Sequence, residues 1–169
     1  MRHIFKIVVC LPILLATALH AQIVQQQKPV AANGETVIDA KSAKFNVRVK
    51  IVTHQVNVGK PSDKRPEVIP SRCAYSRYPC SIVDRIDIAV NGKSIGVPCA
   101  ALCSVTADLH TAEVRIEYGQ AILTLHGGDA ADSYQVKIEF DSKRVLHSAV
   151  SGEGDVPTEE TTYHLVIYE

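Results

Sequence analysis

Hydrophobic and polar positions alternate along most of this chain, and the alternation locates its strands. Phe45, Val47, Val49 and Ile51 alternate with Asn46, Arg48 and Lys50, a period of two that predicts a strand with one buried face. The apolar phase then slips to Val56 and Val58, which predicts a β-bulge between Val52 and Gln55. Ile82, Ile86, Ile88 and Val90 lead into Asn91-Gly92, and Ile95 and Val97 follow. Both turn residues tolerate positive φ, so a tight hairpin is expected.

Val114, Ile116 and Tyr118 alternate with Arg115 and Glu117, and Ile122 to Leu125 resumes after Gly119-Gln120, giving a second hairpin. Tyr134, Val136, Ile138 and Phe140 show the cleanest alternation, and Asp141-Ser142-Lys143 then turns the chain into Val145 to Val150. Residues 151 to 160 are polar, with Gly152, Gly154 and Pro157, and read as a loop before a final strand from Tyr163 to Tyr168.

Two stretches lack any sustained period. Gln22 to Ser42 is Gln-rich, with Pro29 and an Asn33-Gly34 break, and is expected to be a flexible polar leader holding at most a short strand at Thr36 to Ile38. Gly59 to Pro70 carries Pro61, Pro66 and Pro70 among charges and cannot sustain a ladder of backbone hydrogen bonds.

The fold class that follows is all-β. About eight strands at short spacing assemble most simply as an antiparallel β-sandwich or a partly open barrel. One short helical turn is expected near 99–109, where Cys103 lies four residues after Cys99.

The N-terminus changes the picture. Arg2 and Lys6 precede an apolar run from Ile7 to Leu15, followed by small residues at Ala16, Ala18 and Ala21, the three-part pattern of a secretory signal peptide. Cleavage is expected after Ala21, with Ala18 the other site. The run is about half of the roughly 20 apolar residues that a spanning helix needs, and Pro12 interrupts it. Residues 1–21 therefore read as a signal, 22–42 as leader and 43–169 as one β domain, exported by a bacterial-type cell to the periplasm or beyond it. No membrane span is expected in the mature chain.

Export makes the cysteines informative. Removing Cys10 leaves Cys73, Cys80, Cys99 and Cys103, an even set in an oxidising compartment, which favours two disulfides. The local pairs Cys73 with Cys80 and Cys99 with Cys103 close the shortest loops. A four-cysteine zinc site is the rival, but six residues separate Cys73 from Cys80, wider than structural zinc knuckles use.

Charge excludes one class. The chain has 18 basic and 18 acidic residues, and the signal takes two bases and no acid, leaving the mature chain two units negative. Lys and Arg are interspersed with acids, with no basic stripe for nucleic acid and no run of basic residues for a membrane surface.

Candidate chemistry is sparse. The mature histidines His54, His110, His126, His147 and His164 form no ligand motif. His126, Asp129 and Asp132 lie in one glycine-bearing loop, His126 to Ser133, which is the candidate for a metal-dependent or hydrolytic site, although it lacks the regular oxygen-donor spacing of a calcium loop. No G-x-S-x-G elbow is present, and no cofactor is implied. The strongest candidate is the Cys73 to Cys80 segment, where a disulfide would hold Tyr75, Arg77 and Tyr78 in a small loop with Arg72 just outside. Tyr and Arg supply contact area and directional hydrogen bonds at interfaces, and a closed loop loses less entropy on binding. These features lead to the expectation of a non-enzymatic binding or inhibitory domain for a protein partner. The alternatives are an enzyme at His126 to Ser133 and a structural accessory of an envelope assembly that pairs through an edge strand.

Overall fold

The period-two segment after Phe45 becomes the spine of one sheet. The computed structural model describes residues 23–56, 80–98, 101, 108–128, 133–152 and 156–164. Among these residues ten strands form two antiparallel sheets. The smaller sheet has the order β2 (Gly34–Lys41), β3 (Asn46–Val56), β4 (Cys80–Val90), β5 (Lys93–Ile95). The larger runs β1 (Val24–Pro29), β6 (Leu109–Glu117), β7 (Gln120–Gly127), β8 (Tyr134–Phe140), β9 (Val145–Ser151), β10 (Pro157–Thr162). No strand pairs across the sheets, so the architecture is an open sandwich and not a closed barrel.

One core fills the space between them. Val47, Val49, Ile51, Ile88 and Val90 of the smaller sheet join Val114, Leu123, Leu125, Ile138 and Phe140 of the larger in a single cluster, each with at most 1% exposure. Burying each such side chain contributes about 1.5–3 kcal/mol, which the entropy of ordering the chain largely offsets. The alternate positions of β3 and its neighbours face solvent and pair their charges: Lys50 bridges Glu35 at 3.3 Å and Asp87 at 3.7 Å, and Arg48 lies 3.7 Å from Asp39.

The turns obey local chemistry. Asn91 and Gly92 have φ of 51° and 78°, the geometry of a two-residue hairpin matched to strand twist. The second hairpin turns at Tyr118-Gly119, one residue earlier than Gly119-Gln120, because Glu117 pairs with Gln120 and the positive φ values, 51° and 81°, fall on Tyr118 and Gly119. The Asp141 carboxylate closes the β8–β9 turn by accepting the amides of Lys143 at 2.7 Å and Arg144 at 2.9 Å, an Asx turn.

Several expectations are corrected. The stretch 22–42 is not a flexible leader: β1 and β2 occupy most of it, and Ile38 and Ala40 reach the core. Among the described residues the strands already number ten against the expected eight or so, because β1 and β2 come from that stretch and β10 starts inside the predicted 151–160 loop and runs on to Thr162. The bulge is real but sits on β4. Val52 pairs with Arg85 and Thr53 with Val83, so the extra residue is Asp84, while Thr53 keeps the inward phase of β3. The proposed helical turn at 99–109 lies mostly outside the described residues, and Leu109 opens β6. Most of the predicted Tyr163–Tyr168 strand lies outside them too, though the Tyr163 amide donates to Leu146 at 2.9 Å and extends the β9–β10 ladder by one bond.

Candidate functional site

Four tight turns gather at one end of the sandwich and most longer connections leave from the other. At one end lie the short turns 42–45, 91–92, 118–119 and 141–144. From the other the crossover 30–33 and the connections 57–79, 128–133 and 152–156 leave and return, whereas 96–108 leaves β5 opposite Ile88, nearer the turn end, and joins that other end only at Leu109. Register fixes this arrangement: Val56 pairs with Cys80, Leu109 with Gly127, Gly127 with Tyr134, and Ser151 with Pro157. The segments carrying Cys73 to Cys80 and His126 to Ser133 therefore join the sandwich at the same end, and the segment carrying Cys99 and Cys103 joins it there at Leu109.

Hydrogen bonds tie the two sheets together there. The Ser81 amide donates to the Asp108 carboxylate at 3.0 Å, and the Asp108 amide donates back to the Ser81 carbonyl at 2.8 Å. The Ser81 hydroxyl donates to the Ala32 carbonyl at 2.8 Å, and the Thr53 hydroxyl donates to the Ala31 carbonyl at 2.6 Å. On the far side the Gly128 amide donates to the Asp108 carbonyl at 3.0 Å, and His110 Nε2 donates to the Gly128 carbonyl at 2.7 Å. A carbonyl only accepts, so this bond places a proton on Nε2 of His110. Thr53 and Ser81 are 3% and 6% exposed, and buried polar groups of this kind are costly unless bonded. The result is a polar clasp joining β3, β4 and β6 to the crossover 30–33 and the β7–β8 connection.

Asp108 is the centre of the clasp and sits at φ of 60°. Asp tolerates this left-handed conformation better than most residues because its short side chain bonds locally. Sequence reasoning missed it: Asp108 lies outside any alternating run, and only an Asp just ahead of a strand hints at such a role.

Gly127 has a separate reason to be glycine. A Cβ there would run into the ring of Tyr134, its cross-strand partner. Gly127→Ala is expected to cost about 1–3 kcal/mol, the range for overpacking a filled site. Thermal unfolding checks this, and Gly127→Ala with Tyr134→Ala should recover part of the loss.

Of the sequence candidates, Cys80 is described and fully buried, at the start of β4. Arg72, Cys73, Tyr75, Arg77, Tyr78, Cys99 and Cys103 lie outside the described residues, as do Asp129 and Asp132. His126 is half-buried near the end of β7, its Nδ1 at 3.5 Å from the Gln135 amide nitrogen. Among the described residues no three of His, Cys, Asp and Glu form a group able to hold a metal. His54 Nδ1 and Asp84 approach to 2.6 Å on the exposed edge of the bulge, an ion pair when the ring is protonated. A shallow groove of about 350 Å³ crosses the outer face of the smaller sheet. Its Lys50 and Asp87 already pair with each other, which leaves little charge for a ligand.

No family model and no solved structure matches this chain. It is similar to tRNA-dihydrouridine synthase B of Vibrio cholerae serotype O1, at 26% identity over 145 residues. That likeness covers 81% of this chain but 45% of the other protein, so the chain spans less than half the length of that relative.

Proposed function

We propose that this chain is an exported, non-enzymatic binding or inhibitory domain that recognises a protein partner through the long-connection end of its sandwich. The observation that carries the reading is the segregation of connections: 57–79, 128–133 and 152–156 depart from one end, where 96–108 also rejoins the sheet, beside a hydrogen-bonded clasp. A rigid scaffold that gathers its variable connections at one end is how many binding surfaces are built. Tyr75, Arg77 and Tyr78, with Arg72 beside them, are the prime contacts in this reading. Cys73 and Cys80 form one disulfide and Cys99 and Cys103 the other. What Cys80 offers is its setting: it is fully buried at the base of the segment, which suits a structural bridge better than a reactive thiol.

The rival enzyme reading rests on His126, Asp129 and Asp132, and no bond of His126 favours it over a polar residue at a strand end. The tRNA named for the similar protein is not carried over, because the basic residues of this chain are balanced by an equal number of acids.

A capture experiment tests the proposal. The purified oxidised protein is immobilised against envelope extract beside a Tyr75→Ala/Arg77→Ala/Tyr78→Ala variant. One stoichiometric partner retained by the parent and lost by the variant, with unchanged thermal unfolding of both, is the expected result. A partner retained equally by both would remove the loop from the interface. Bound metal, with a catalytic activity that Asp129→Ala abolishes, would move the function to the His126 loop.

A further inference from the structure

The opposite end of the sandwich has its own chemistry. Lys41, Lys44, Lys93 and Lys143 come from three separate turns and are all exposed there, and none is ion-paired among the described residues. Lys93 and Lys143 line one cleft of about 470 Å³ between the β4–β5 and β8–β9 turns, together with Asn91, Ser94 and Ser142. Asn91 is held in place: its Oδ1 accepts the Asn46 amide at 2.9 Å and its Nδ2 donates to the Lys44 carbonyl at 3.5 Å. The two acids that flank its large-sheet turns are engaged. Asp141 accepts two amides of its own turn, and Glu117 binds Arg115 at 2.7 Å, raising the pKa of that guanidinium above its ordinary value.

The same end shows two apolar groups to solvent. Tyr118 is 84% exposed at the tip of the β6–β7 hairpin, and Ile23 is 56% exposed just before β1, whose Val24 pairs with Ile116. Tyr118 also occupies a left-handed turn position that Asn or Gly would fill with less strain. An exposed aromatic ring kept where the backbone disfavours it points to a contact made outside the molecule.

We propose that this turn end docks on an anionic phospholipid surface, with Lys41, Lys44, Lys93 and Lys143 meeting lipid phosphates and Tyr118 and Ile23 entering the interface. A lysine ring attracts phosphate, and each lysine near such a surface adds to affinity. Tyrosine favours the headgroup level, where its ring is apolar and its hydroxyl wet. A soluble phosphate ester would match the lysines but would leave Ile23 and Tyr118 without a partner. The basic face was invisible as a run in the sequence because its lysines are dispersed among different turns and meet only in the fold.

Vesicle sedimentation tests this with the purified protein. Binding is expected to vesicles of phosphatidylcholine mixed with phosphatidylglycerol, not to phosphatidylcholine alone, and to vanish at about 0.5 M salt, where screening shortens to roughly 4 Å. Lys93→Gln/Lys143→Gln should weaken it about 30-fold. Tyr118→Asn should weaken it several-fold while thermal unfolding stays the same or rises, because Asn suits the turn; that separates a lost contact from a lost fold. Equal binding to both vesicle types, no binding, or binding indifferent to these substitutions would overturn the proposal. So would duplex DNA or inorganic phosphate binding at the lysines while mixed vesicles are ignored.

Discussion

Replacing Phe140 by alanine is expected to remove about 3–5 kcal/mol of stability, the range for truncating a large buried aromatic. Phe140 ends β8 with 0% exposure and is the largest of the fully buried side chains. Its strand neighbours are Ala121 on one side and Val145 on the other, and neither is long enough to move into the space it would leave. The vacated volume therefore stays open, and its lining loses contacts in addition to the transfer free energy. Since domains of this size are stable by roughly 5–15 kcal/mol, such a loss should move the urea midpoint far below that of the parent with little change in slope. A loss under about 1 kcal/mol would mean that the sheets do not pack through Phe140.

The second large effect is expected at Asp108. Asp108→Ala removes the acceptor of the Ser81 amide and places a residue with no local hydrogen bond at φ of 60°. An unsatisfied buried amide costs about 1–3 kcal/mol and the left-handed backbone about 1–2 kcal/mol, so about 2–5 kcal/mol is expected in sum. Two further substitutions separate the causes. Asp108→Asn keeps both an acceptor oxygen and tolerance of the conformation and should lose least. Asp108→Gly relieves the backbone but not the amide and should fall between. Urea unfolding of the three variants gives the order Asn, Gly, Ala in decreasing stability; an order with Gly above Asn would assign Asp108 a role through its backbone alone.

How much of this was legible in the sequence depended on whether a strand has two different faces. β3, β6 and β8 each bury one face and expose the other, so their alternation printed directly into the sequence. The Asn91-Gly92 turn was equally plain, since few residue pairs accept positive φ twice in succession. β1 and β10 were missed because the burial that writes a pattern is absent from them: every residue of β10 is exposed, and all but Val24 of β1. Backbone bonding to β6 and β9 makes them strands, and backbone bonding leaves no residue signature. The candidate end was legible only as separate segments. That 57–79 and 128–133 leave from one end, where 96–108 rejoins at Leu109, follows from strand pairing, which one sequence does not reveal. The clasp residues Ser81 and Asp108 carried no signal that set them apart from ordinary turn residues.

The pairing of β1 with β6 also sets an order of events. Val24 meets Ile116 and Pro29 meets Thr111, so β1 is completed by a strand that is synthesised much later. Closing so long a loop is slow, because its entropy is lost before any pairing rewards it. Until then the edge of β6, with Val114 and Ile116 on its inner face, stands open to any other strand. The run Gln25, Gln26, Gln27 and Lys28 makes β1 polar and exposed, and a β1 made apolar would be expected to find the wrong chain first.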